Sequence, residues 1–403
     1  MKKNPLARLA TLCFAVAAGA ALTMGSAQAA DDAVKIGFIT DMSVCMRILM
    51  ARAVSKRSAW RGRLRRQGQR QADLGGLCRS PEQGRHRGVA GARMVRSGWR
   101  RSADRRHEFG NRAVDEHGGR EKHKVYISIG AGADTLTNEQ CTPYTIHYAY
   151  DTTALAKGTG SAVTKQGGKT WYFLTADYAF GKALEKNTSD VVKANGGQVL
   201  GAVRHPLSAS DFSSFLLQAQ ASKAQILGLA NAGGDTINSI KAAKEFGITK
   251  TMKLAALLMF IDDVHSLGLE TTQGLVLTDS WYWNKDATTR AWARRYFDKM
   301  KKMPSSLQAA DYSATMTYLK AVQTVGSTDS DKVMAQLKKA KIDDFYAKGY
   351  IRQDGSMIHD MYLMQVKTPA ESKEPWDYYK ITATIPGEQA FTTKAETRCA
   401  MWK

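Results

Sequence analysis

The sequence predicts an α/β fold with a doubly wound lobe at its centre. Three observations carry this. Strand-length apolar runs alternate with helix-length amphipathic segments between residues 170 and 246. The first run, Trp171-Tyr172-Phe173-Leu174, is continuous, as a strand covered on both faces requires. Glycine pairs, Gly196-Gly197 and Gly233-Gly234, separate successive units.

Taken in order, residues 34–40 read as a first strand, and residues 124–129 and 145–151 as two more. A glycine-containing loop, residues 130–135, follows the second, and small residues over 153–165 predict a helix that packs closely at a lobe boundary. The central unit then reads strand 170–177, helix 179–195, strand 199–203, helix 211–221, strand 224–232 and helix 236–246. Its helices carry one-faced stripes: Phe180, Leu184 and Val191, then Phe212, Phe215, Leu216 and Ala219, then Ile237, Ile240 and Phe246. Parallel lobes of this kind take ligands beyond the carboxyl ends of their strands. Strands at 253–260 and 274–279 follow, then helices at 287–302, 306–325 and 329–340, and late strands at 361–366 and 378–384.

A chain of 403 residues with 43% apolar content suffices for two ordinary lobes. Its formal charge of +21 suggests a polyanionic partner until the charge is located. Residues 44–120 hold 19 Arg and one Lys against 6 acidic residues, a net +14; the remainder prefers Lys and nets only +7. The same block has no Tyr and no sustained periodicity. It reads as a disordered basic insertion, as an arginine-rich nucleic-acid binder, or as translation out of frame, which yields Arg, Gly and Ala from a GC-rich coding sequence. The position directly after a first strand of an α/β lobe favours the last, so no nucleic-acid partner is expected.

Lys2, Lys3 and Arg8, an apolar stretch over residues 9–22 and the small-residue site Ala27-Gln28-Ala29 predict a cleaved secretory signal over residues 1–30. The 14-residue apolar stretch falls short of the roughly 20 residues that span a bilayer. Export would expose the cysteines to an oxidising compartment, and Cys141 and Cys399, outside both the signal and the Arg-rich block, are expected to pair; two free thiols are the alternative.

Catalytic motifs are missing. Gly168-Lys169-Thr170 lacks the first glycine of a P-loop, His107-Glu108 lacks its second histidine, and the eight histidines are scattered. Neither an enzyme nor a metal or other cofactor is expected.

Residues 34–41, 126–137, 170–181, 211–215, 308–319 and 351–355 together resemble the periplasmic solute-binding proteins of ABC transporters, branched-chain amino-acid type. The resemblance implies a type I periplasmic binding fold: two Rossmann-like lobes joined by a hinge, closing on a ligand and docking to membrane permease subunits. It implies a first lobe over 31–150, incomplete where the Arg-rich block stands, a second over 151–275, a return to the first over 276–360, and hinge and tail over 361–403. A periplasmic monomer binding an amino acid or an aromatic or aliphatic carboxylate is expected; a ligand sensor for a receptor is the alternative.

The resemblance further places the ligand carboxylate at Ala131, Gly132 and Ala133, where small residues let it approach main-chain N–H groups. A tight turn without a ligand is the plainer reading. It also places Phe180 where relatives carry a ligand-contacting tyrosine, with Tyr178 able to supply a hydroxyl; Phe180 reads equally as core. Ala232 and Gly233 lie in a further contact loop that exposes a helix N-terminus, or form a simple strand-to-helix turn. A ligand ammonium would need a carboxylate, for which Asp262 and then Asp235 are the candidates, each equally a helix cap. Trp281, after a strand end, offers an aromatic face to a cleft or to the next helix.

Overall fold

The computed structural model describes residues 123–403, together with Ala33–Val34 and Ala53–Val54. The chain divides into two compact units, Met1–Gln71 and Ala72–Lys403. In the first, β1 (Ala33–Val34) pairs antiparallel with β2 (Ala53–Val54). The rest of the expected first strand, the signal segment and most of the Arg-rich block lie outside the described residues.

The second unit begins with β3 (Tyr126–Ser128) and β4 (Thr145–His147), a parallel pair. The helix expected at 153–165 is present and unbroken, with a π-helical centre: α1 (Thr152–Leu155) passes through Ala156–Gly160 into α2 (Ser161–Lys165). Its glycines explain the close approach. A Cβ on Gly158 would lie 2.2 Å from Thr278 Oγ1, and Thr159 Oγ1 already sits 2.9 Å from that oxygen.

The central unit follows the expected order: β5 (Thr170–Ala176), α3 (Ala179–Ala194), β6 (Gln198–His205), α4 (Ser213–Ala221), β7 (Ile226–Ala230), α5 (Gly234–Glu245) and β8 (Lys253–Ala256). The strands form one parallel sheet in the order β6-β5-β7-β8, with Trp171, Phe173 and Leu174 fully buried at its centre. The strand expected at 253–260 stops at Ala256, because the Phe260 N–H donates to the Asp263 carboxylate at 2.8 Å and starts α6 (Ile261–Leu267).

After α7 (Leu269–Thr272) come β9 (Val276–Asp279), α8 (Ala287–Met300), α9 (Ser306–Val325) and α10 (Ser330–Lys339). A meander of three-residue and four-residue strands follows: β10 (Lys341–Asp343), β11 (Lys348–Ile351) and β12 (Met357–His359). Sequence periodicity misses it because each strand is shorter than two alternations. The chain ends with β13 (Met361–Val366), β14 (Tyr379–Ile385), α11 (Gly387–Ala390) and a tail. Strand β13 pairs antiparallel with both β14 and β9, so the chain division expected at residue 276 falls at a strand whose partner lies beyond residue 360.

The disulfide Cys141–Cys399 is present, with its Cα atoms 5.7 Å apart, and anchors the tail to the segment before β4. Among the described residues no helix is long and apolar enough to cross a membrane, and no group of His, Cys, Asp or Glu could hold a metal ion.

Candidate ligand cleft

Loops at the carboxyl ends of parallel strands from both lobes meet. The loop after β3 is held from behind by the segment that leads from β4 into α1. Tyr150 donates its hydroxyl to the carbonyl of Gly130 at 2.9 Å. His147 Nε2 lies 2.6 Å from the carbonyl of Ala131, which can only accept, so this nitrogen carries the proton. The Thr152 N–H donates to the carbonyl of Gly132 at 2.8 Å. Three consecutive carbonyls are thus engaged by one short segment. A trans peptide sets each N–H opposite the preceding carbonyl, so the N–H groups of Ala131, Gly132 and Ala133 point the other way. None of these three N–H groups has an acceptor among the described residues.

Opposite this loop stands the start of α3. Gly181 packs so closely that a Cβ there would lie 2.1 Å from the Ala176 carbonyl oxygen and 3.0 Å from that of Ala230. This places Phe180 directly over the ends of β5 and β7. A Cβ on Gly132 would meet the rings of Phe180 and Tyr150, each at 2.8 Å. Phe260, beyond β8, meets the Tyr150 ring edge-on at 6.1 Å between centroids, and Tyr178 lies 5.8 Å from Phe180. The structure therefore brings Gly132, Phe180 and Tyr178 together, and adds Tyr150 and Phe260. Sequence reasoning did not single out these two, since each reads as an apolar residue beside a strand or helix end.

Gly233, with φ +55, turns the chain from β7 into α5, and a Cβ on it or on Gly234 would meet nothing within 4 Å. The loop with Ala232 is thus open. Behind it Asn231 is buried, donating to Ser239 at 3.3 Å and accepting from Thr236 at 2.8 Å.

The acidic candidates each have a partner within the protein. Asp235 is buried and accepts the Ser208 N–H at 3.1 Å, with burial raising its pKa. Asp262 sits 3.9 Å from Lys302; burial raises its pKa and the lysine opposes this. Trp281 corrects the expectation of a cleft-lining face: it is 1% exposed, donates its ring N–H to the Phe345 carbonyl at 3.1 Å, and meets Trp292 edge-on. The reason is that β9 delivers it into the packing between α8 and the β10–β11 turn rather than beyond the sheet.

Two α/β lobes whose strand-end loops converge across linking segments define a hinged solute-binding protein. The model of the periplasmic binding protein family matches residues 118–373, and the chain belongs to that family. A crystal structure of a periplasmic binding protein from Burkholderia mallei is 86% identical over 72% of this chain and 77% of that one, with a TM-score of 0.71. A branched-chain amino-acid ABC transporter periplasmic ligand-binding protein from Burkholderia xenovorans is 41% identical over 72% and 78%, with a TM-score of 0.66. An amino-acid ABC transporter substrate-binding protein from Pseudomonas fluorescens is 26% identical over 72% and 77%, with a TM-score of 0.65. Among curated proteins none matches the chain significantly. The function of the chain is extracytoplasmic solute binding for ABC-type import.

Proposed function

We propose that the cleft takes a small carboxylate with an apolar or aromatic body, and that a ligand ammonium group is not required. The observation that carries this is the row of N–H groups at Ala131, Gly132 and Ala133, turned away from three engaged carbonyls and flanked by Tyr150 and Phe180. Backbone N–H groups without acceptors suit a carboxylate, and the rings suit an apolar body. Asp235 accepts from Ser208 and Asp262 lies 3.9 Å from Lys302, so each carboxylate has a partner within the protein. Tyr178, Ala232 and Gly233 complete the contact set from the second lobe.

On this reading the chain binds without catalysing a reaction. It acts in the periplasm as a monomer after loss of residues 1–30, and presents its closed form to permease subunits. The Cys141–Cys399 bridge agrees with an oxidising compartment.

Leucine and its deaminated counterpart, 4-methylpentanoate, separate the possibilities, because they differ only in the ammonium group. Thermal-shift and calorimetric titrations are expected to show 4-methylpentanoate binding at least as well as leucine. At a thousandfold excess over Kd the gain is about 4 kcal/mol in stability. Binding of leucine alone would overturn the proposal.

A further inference from the structure

We propose that Asp134 and Arg398 are positioning residues, through which the disulfide-anchored tail holds the carboxylate-binding loop in shape. This rests on reading residues 131–133 as that loop. Asp134 follows the loop directly and is 4% exposed. Its carboxylate accepts from the Thr152 hydroxyl at 3.0 Å, and its N–H donates to the same hydroxyl oxygen at 3.2 Å. Thr152 also ties the Gly132 carbonyl, so Asp134 and Gly132 are fixed on one residue of α1. The other carboxylate oxygen receives Arg398 Nη2 at 3.3 Å.

Arg398 comes from the opposite end of the chain, and three further contacts set its place. It neighbours Cys399, which is fully buried and bridged to Cys141. Its N–H donates to the Asn138 side-chain oxygen at 3.1 Å, and its guanidinium also pairs with Glu139. The tail is therefore not a loose end: it closes over the turn Asp134–Thr137 that the loop runs into. The same carboxylate oxygen also accepts from the Thr153 hydroxyl and the Asn138 amide, each at 3.4 Å, so among the described residues the guanidinium is its one cationic partner. Removing it leaves a nearly buried carboxylate without compensating charge and weakens its hold on the Thr152 hydroxyl. The loop then loses one of its two anchors on Thr152.

The test compares the full chain with Arg398→Met, Arg398→Lys and a wild-type sample whose disulfide has been reduced under native conditions. Amide hydrogen exchange is followed at Asp134, Leu136 and Asn138, whose N–H groups donate to Thr152, Ala133 and Thr135, and, as an internal control, in β5. Exchange at these three amides is expected to accelerate about tenfold in Arg398→Met and on reduction, with β5 unchanged and Arg398→Lys restoring most of the protection. Unchanged exchange at the three amides overturns the proposal, as does acceleration that spreads equally into β5 or that lysine does not rescue. Should Arg398→Met not fold, the reduced sample decides by the same two criteria. Parallel titration with 4-methylpentanoate and leucine keeps the outcomes apart. Altered exchange without binding of either probe by the wild type would remove the ligand reading of the loop while leaving the clamp in place.

Discussion

The N–H of Thr152 and the carbonyl of Gly132 are joined by a hydrogen bond of 2.8 Å, so the first residue of α1 fixes the loop that ends β3. With Tyr150 and His147 on the adjoining carbonyls, one short segment sets the direction of three peptide planes.

Tyr150→Phe keeps the ring beside Gly132 and removes the hydroxyl that engages Gly130. The lost hydrogen bond is worth about 0.5–1.5 kcal/mol, which predicts a roughly two- to tenfold weaker Kd for the bound carboxylate. Isothermal titration measures this, and an unchanged Kd would show that the Tyr150 hydroxyl does not set the loop.

Gly181→Ala tests the packing of α3 over the sheet. The added methyl would meet the backbone oxygen of Ala176 at 2.1 Å, and backbone cannot swing aside as a side chain can. A loss of about 3 kcal/mol is expected from urea unfolding, accompanied by displacement of Phe180 and weakened binding. Unchanged stability would mean that α3 does not sit against β5 as described.

Stability should fall as the pH is raised from mildly acidic to neutral. Burial pushes Asp151 and Asp279 up to about 7 and Asp263 up to about 6. For a carboxyl group whose folded-state pKa is raised, the stabilising form is the protonated one. Its contribution is complete below the unfolded-state pKa and is lost as pH rises through 6 to 7. Unfolding midpoints measured from pH 4.5 to 8 are expected to decline, and Asp279→Asn should flatten the profile. A midpoint that climbs over this range would contradict it.

Residues 44–120 make a prediction at the level of the gene. Translating their coding segment in the two other frames is expected to yield alternating strand and helix patterns in one of them, with Lys restored over Arg. If every frame stays without pattern, the block is a genuine insertion.

Much of the molecule was legible before folding. The parallel lobe between residues 170 and 246 was readable because its apolar runs and helical stripes are local, and each is long enough to show its period. Strands β10 to β12 were not, being too short to show an alternation. At the cleft, Gly132 and Phe180 were recognisable through a resemblance. That Phe180 meets Gly132 was not, because one opens a helix and the other lies in a loop 48 residues earlier, a separation that carries no local signal.

The sequence by itself determined the α/β class, the order of the central elements and the candidate pairing of Cys141 with Cys399. Only the tertiary structure decided what the polar and aromatic candidates do. Trp281 went to packing, Asp235 to a loop and Asp262 toward a lysine, while Tyr150 and Thr152 took hold of the loop after β3. The physical reason is that strand and helix propensities act between neighbours in the chain. The direction of a carbonyl or the partner of a carboxylate is settled by groups that folding brings together from far apart.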